Sequence, residues 1–185
     1  MEDIDLNFED FVARVNSDLV GKYVNIASRS AGFIAKRFNG QLAPAAADLP
    51  AIKAIQEAAP RIGELYEARE FGKAVREIMA LTDGANQYVD SVKPWELAKQ
   101  EGKEVELHAA CSNALNLFRL LTVLLKPILP VVAGKVEQFM NIAPLAWSDA
   151  RTLLAGGATA LTGDIAFVGP RPPLRLYVER RSEER

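Results

Sequence analysis

Between about Val105 and Lys126 the chain carries apolar residues on every side of a helical wheel: Leu107, Ala110, Leu115, Leu117, Phe118, Leu120, Leu121, Val123, Leu124 and Leu125. A helix with one apolar stripe can lie at a surface, but one that is apolar round most of its circumference must be enclosed by other elements or by lipid. The best candidate for a membrane span, Leu115 to Ala133, is interrupted by Arg119, Lys126, Pro127 and Pro130, and no uninterrupted apolar run approaches the length that a bilayer requires. The run is therefore expected to be the central helix of a bundle, with the other elements packed round it.

Those elements can be placed from periodicity and breakers. Asn7 is a candidate cap for a very long first helix, in which Phe8, Phe11, Val12, Val15, Leu19, Tyr23, Ile26, Ile34 and Phe38 recur at helical spacing and Asn39-Gly40 forms the stop. Gln41 to Pro50 reads as a connection. Asp48 then offers a cap for a second helix through Ile52, Ile55, Ile62, Leu65 and Tyr66, bent at Pro60. A third helix is expected from about Glu70 to Val92, with Val75, Ile78, Met79, Leu81 and Val89 inward, ended by Lys93-Pro94. A short helix around Trp95 to Gln100 and a turn at Gln100 to Lys103 lead into the central helix. Pro127 and Pro130 redirect the chain into another helix from about Val131 to Met140. Ser148-Asp149 can cap a short helix through Leu154, Gly156 to Pro173 has the Gly and Pro content of a loop, and Leu174 to Val178 reads as an extended segment or short strand. The expected fold class is all-α: a helical bundle of about five main helices over residues 8–155, with an irregular C-terminal extension over 156–185.

Composition narrows the function classes. The chain has 49% hydrophobic and 25% charged residues, as ordinary globular proteins do. Its 22 basic and 24 acidic side chains leave no global positive field, so any binding to nucleic acid must be local. A single cysteine, Cys111, excludes an internal disulfide and a multi-cysteine metal site and suits a reducing cytoplasm. The acidic start Met1 to Asp5 is unlike a secretory signal or an Arg-rich transit peptide.

If the first helix is unbroken, Lys22, Asn25, Arg29 and Lys36 share a polar stripe. An amide and a guanidinium one turn apart suit a nucleobase edge, since Asn offers a donor and an acceptor and Arg a rigid fork of donors. A tryptophan after a proline, in Lys93-Pro94-Trp95-Glu96-Leu97-Ala98-Lys99, supplies an aromatic plane at a helix break. Specific RNA recognition mostly splays unstacked loop bases onto such planes and reads their exposed edges. By residue type alone, the stripe is equally a solvated helix face and Trp95 equally a core anchor at a junction.

The stretch Val24-Asn25-Ile26-Ala27-Ser28-Arg29-Ser30-Ala31-Gly32-Phe33 and the Lys93 to Lys99 stretch together resemble the C-terminal anticodon-binding domain of bacterial methionyl-tRNA synthetases. Asn16 to Lys22, Phe33 to Phe38 and Arg69 to Met79 match at the family's spacing, so that the resemblance spans roughly Phe8 to Leu129. It implies that Asn25 and Arg29 hydrogen-bond the first anticodon base, a cytosine, that Trp95 stacks on it, and that Pro94 aims the indole. Lys22, Lys36 and Lys93 are candidate phosphate contacts, as are Arg37 and Lys99. The implied partner is the tRNA for methionine, chosen by its CAU anticodon. The parent enzyme would join methionine to tRNA with ATP, with zinc as a further candidate cofactor of that catalytic part, in the cytoplasm and as a homodimer through a further C-terminal domain. On this reading Met1 is an introduced start, residues 1–7 are the tail of a connection from the catalytic part, and the chain alone is inactive. Beyond Gly156 the sequence departs from the family's usual ending.

Other constellations read as packing. His108 and Cys111 are three apart on the central helix, but a zinc site needs more ligands, and one histidine in an apolar helix is more simply a packed one. Glu64, Glu67 and Glu70 lie on one helical face beside Arg61 and Arg69 and are expected to form solvated ion pairs. Trp147 has no context beyond packing. The glycines at 156, 157 and 163 lack the spacing of a phosphate loop, and neither adenylate-forming signature of class I synthetases is present. The alternative function is a helical protein-interaction module without RNA specificity, which would not distinguish a CAU loop from one with its first base changed.

Overall fold

The structure is a computed structural model and describes residues 15–157. A π-helical segment, Val15–Val24, runs directly into α1, Asn25–Arg37; then follow α2, Pro50–Glu67, and α3, Phe71–Val92. After these come the four-residue α4, Pro94–Leu97, the central α5, Glu104–Leu125, α6, Pro130–Met140, and a 3-10 turn, Trp147–Arg151. The described residues thus form an all-α bundle with five main helices. The expectations at Asn7, over residues 1–14 and beyond residue 157, including Leu174 to Val178, lie outside the described residues.

α5 is the axis. From Ala110 to Leu125 every one of its side chains is buried, and it packs against α1, α2, α3, α4, α6 and the 3-10 turn. The surrounding helices present stripes to it: Ile26, Ala27, Ala31 and Ile34 from α1; Ile52, Ile55, Ala59 and Ile62 from α2; Ala74, Ile78, Ala85 and Val89 from α3. Tyr23 lies against Phe118 with ring centres 4.6 Å apart, and its hydroxyl meets Thr122 Oγ1 at 2.6 Å inside the core.

The polar face of α5 grips main chain. Ser112 Oγ and Asn113 Oδ1 accept from the Ala43 and Ala46 N–H groups at 2.8 and 2.9 Å. Asn116 Oδ1 accepts from Leu154 N at 2.9 Å, and Arg119 Nη1 donates to the Thr152 carbonyl at 2.8 Å. His108 stacks on Phe38, with ring centres 4.0 Å apart, and its Nε2 donates to the Gln41 carbonyl at 2.9 Å. These bonds tie the 41–49 connection and the 152–157 segment to the core without secondary structure of their own. No helix among the described residues is long and apolar enough to cross a membrane.

Several boundaries differ from expectation for identifiable reasons. The first helix is not one uniform α-helix: up to Val24 it is π-helical, with each N–H reaching one residue further back, so Lys22 and Arg29 do not keep an α-helical phase relation. Asp48 does not cap α2. Leu49 takes the N-cap position, and Pro50, whose fixed φ and missing N–H suit the first turn, begins the helix. The short helix after Pro94 stops at Leu97 rather than Gln100. Near the end, the N-cap position falls on Ala146 rather than Ser148. Asp149 Oδ2 accepts from Ala146 N at 2.7 Å and closes a single 3-10 turn that ends at Arg151, not Leu154. α2 ends at Glu67 and Arg69 is left-handed, φ 60°, so Glu64, Glu67 and Glu70 do not share a helix face. Arg61 pairs across to the half-buried Glu77 on α3 at 2.8 Å, and Glu70 pairs with Lys73 at 3.1 Å, both exposed.

Candidate nucleic-acid interface

α1, α3 and α4 meet where the polar residues singled out above lie. α1 ends because Asn39 and Gly40 take left-handed conformations, φ 52° and 74°, and the Gly40 N–H caps the Ile34 carbonyl at 3.0 Å. α3 ends because Lys93 is also left-handed, φ 45°, and this reversal starts α4 at Pro94. Pro94 is buried, and Trp95 next to it is half-buried. The Arg29 guanidinium carbon stands 5.7 Å from the centre of the Trp95 ring, within cation–π range.

Arg29 is held from α3. Its Nη1 donates to Asp90 Oδ1, and its Nη2 donates to Asn86 Oδ1 at 2.6 Å. Asn86 spends its own N–H groups on the Lys22 and Thr82 carbonyls, both at 3.1 Å. Lys22 reaches Asp83 at 2.9 Å, and this bond holds the ammonium pKa above its ordinary value. Asp83, Asn86 and Asp90 thus form a ladder along α3, at the spacing of successive turns, opposite Lys22 and Arg29. With 22% of its side chain exposed beside a 61%-exposed Asp90, Arg29 is fixed in direction yet reachable from solvent. An arginine carries five N–H donors, and these two contacts use two of them; Arg29 Nε is buried without a partner, so the donors left for a ligand are the second N–H of each Nη.

Asn25 lies one turn before Arg29, half-buried, with Ser28 Oγ donating to its backbone carbonyl at 3.1 Å and standing 3.4 Å from Oδ1. The structure therefore brings Arg29 and Trp95 into contact, with Asn25 one turn from Arg29 on α1. Lys36 and Lys93 are exposed, and neither forms an ion pair among the described residues. Lys22 leans instead toward α3, and Lys99 pairs with Glu96 at 3.0 Å.

The other candidates stand apart. Cys111 is buried and its thiol is pushed up to about 12, by burial above all. Trp147 stands edge-on to Tyr66, with ring centres 5.9 Å apart. Among the described residues no three His, Cys, Asp or Glu side chains come together as a metal site. An open cavity of about 390 Å³, lined by Tyr88, Val92, Leu97 and Asn113 among others, includes neither Arg29 nor Trp95.

A guanidinium and a half-buried indole thus converge from separate helices of the bundle. Residues 39–170 match the family described as the anticodon binding domain of methionyl tRNA ligase, and the chain belongs to that family. Pro94 and Trp95 fall inside the matched span, whereas Asn25 and Arg29 precede it. The chain is 61% identical over 147 residues to a methionine–tRNA ligase of Cupriavidus pinatubonensis, covering 80% of this chain and 21% of that protein. It is 60% identical over 156 residues to that of Chromobacterium violaceum, covering 84% and 23%. The chain therefore spans about a fifth of the length of the relatives it matches. In fold it is similar to Mycobacterium tuberculosis methionyl-tRNA synthetase in complex with methionyl-adenylate, with a TM-score of 0.79 at 24% identity over 90% of this chain and 34% of that one. The free state of the same enzyme gives 0.77 at 25% identity, over 91% and 36%.

Proposed function

We propose that the chain binds tRNA and selects the tRNA for methionine by its CAU anticodon. The first anticodon base stacks on Trp95, and Asn25 and Arg29 read its polar edge. Lys22, Lys36 and Lys93 supply positive charge for the flanking phosphates. The observation that carries this reading is the placement of Arg29 over the half-buried Trp95 ring, with one N–H of each Nη left uncommitted. Family membership supports the anticodon as target. By the same reading the chain is part of a methionine–tRNA ligase working in the cytoplasm. The remainder of that ligase, with ATP and zinc as its candidate cofactors, joins methionine to the bound tRNA and supplies any dimer contact.

Fluorescence titration with anticodon stem-loops tests it. A CAU loop is expected to bind more tightly than one with its first base changed, and Trp95→Ala to weaken CAU binding by at least about 1 kcal/mol, roughly fivefold. Equal affinity for the two loops, or an unchanged affinity in W95A, refutes the assignment.

A further inference from the structure

α4 is too short to hold itself. A four-residue helix cannot repay its own nucleation, it has no side-chain N-cap, and it enters through the left-handed Lys93. Backbone donors fill most of its carbonyls: Glu96 N and Leu97 N bond to Lys93 O, Ala98 N to Pro94 O, Lys99 N to Glu96 O and Gln100 N to Leu97 O. The Ala98 carbonyl, at the C-terminal end, is filled from another helix: Arg37 Nη2 of α1 donates to it at 2.9 Å. α1 thus holds α4 at two points, with Arg29 against the Trp95 ring and Arg37 on the carbonyl three residues later. Arg37 is exposed and contributes nothing to the hydrophobic core, so its bond to the Ala98 carbonyl serves α4.

We propose that Arg37 is a positioning residue for RNA recognition: by pinning the end of α4 to α1 it sets the attitude of Trp95 toward Arg29, and it acts through Trp95 rather than on the RNA. The role in recognition rests on the anticodon reading above; the role in orienting Trp95 does not.

The two can be separated experimentally. The chain has two tryptophans, so Trp147→Phe leaves Trp95 as the only indole emitter. In that background, without RNA, Arg37→Ala is expected to shift the Trp95 emission and raise its quenching by acrylamide while far-UV circular dichroism is unchanged; Arg37→Met, which keeps the stem, serves if R37A loses helix. With a CAU stem-loop, R37A is expected to weaken binding about three- to tenfold in the otherwise native chain and to have no further effect in W95A. An equal loss in both backgrounds, with a salt slope reduced by about one, shows Arg37 on a phosphate and overturns the proposal. If W95A itself binds like the native chain, the anticodon reading fails. The free-protein measurement then still decides: altered Trp95 emission and quenching in R37A uphold the pinning role, and unaltered values overturn it.

Discussion

Removing either partner of the Tyr23–Thr122 contact should have unequal consequences, because one hydroxyl has a second partner and the other does not. Thr122 Oγ1 lies 2.7 Å from the Phe118 carbonyl, which can only accept, so the single threonine proton goes there. The Tyr23 phenol must then donate across the 2.6 Å contact to Thr122. Both residues are 1% exposed, and water cannot substitute for a lost partner. Tyr23→Phe removes the donor and leaves Thr122 still bonded to Phe118, so the loss is that of one net hydrogen bond, about 0.5–1.5 kcal/mol. Thr122→Val keeps the shape but strands the phenol O–H inside the core, at about 1–3 kcal/mol. The double variant has no stranded group and should be more stable than T122V alone. For a chain of this size each kcal/mol corresponds to roughly 2–4 °C in Tm. Urea unfolding of the four proteins gives the cycle directly. A T122V cost no larger than that of Y23F, or costs that simply add in the double variant, would show that the proton runs the other way or that the phenol finds another acceptor. Tyr23 lies two residues before the helix that carries Asn25 and Arg29, so the same contact anchors the entry to the interface.

Two further outcomes follow from the core. With its thiol raised to about 12 and buried, Cys111 should resist iodoacetamide at pH 8 in the native state and react only as the chain unfolds, which mass spectrometry across a urea series will show; prompt native labelling contradicts the burial. Glu137, 9% exposed, accepts through Oε1 from Lys126 Nζ at 2.6 Å and from the buried Leu145 N–H at 2.8 Å. Glu137→Ala should cost about 2 kcal/mol in denaturant unfolding, and Glu137→Gln less, because its amide oxygen can still accept from both donors.

The bundle was legible because its strongest signals are local. The mainly apolar character of Leu107 to Leu125 demands enclosure wherever it occurs, Asn39-Gly40 is a chain reversal whose residue types permit left-handed backbone, and Pro94 stops a helix because it disfavours helical backbone at the residue before it. The place of Trp95 at a helix break was legible in the same way, from Pro94 before it. The π-helical register before Asn25 was not: Leu19, Tyr23 and Ile26 are spaced three and four apart, as α-helical residues would be, and the register depends on what α3 and α5 offer in return. The ladder of Asp83, Asn86 and Asp90 carried a signal, a polar row at helical spacing, but spacing within one helix does not say which other helix it faces. Asp48 offered good cap chemistry and lost to Pro50, which fixes the helix start two residues later without needing a side-chain bond.

The hand of polar side chains on α5 closes on peptide groups: the N–H of residues 43, 46 and 154 and the carbonyls of 41 and 152. Every amino acid except proline offers the same N–H, and all offer the carbonyl. The two connections can therefore change side chains wherever core packing and backbone conformation leave room, which excludes the buried Leu42, Gly156 against Pro44 and the left-handed Gly157, while His108, Ser112, Asn113, Asn116 and Arg119 have little licence to change. A deep mutational scan should find tolerance at Ala43 and Ala46, whose N–H groups are held, and intolerance at Ser112 and Asn113, which hold them.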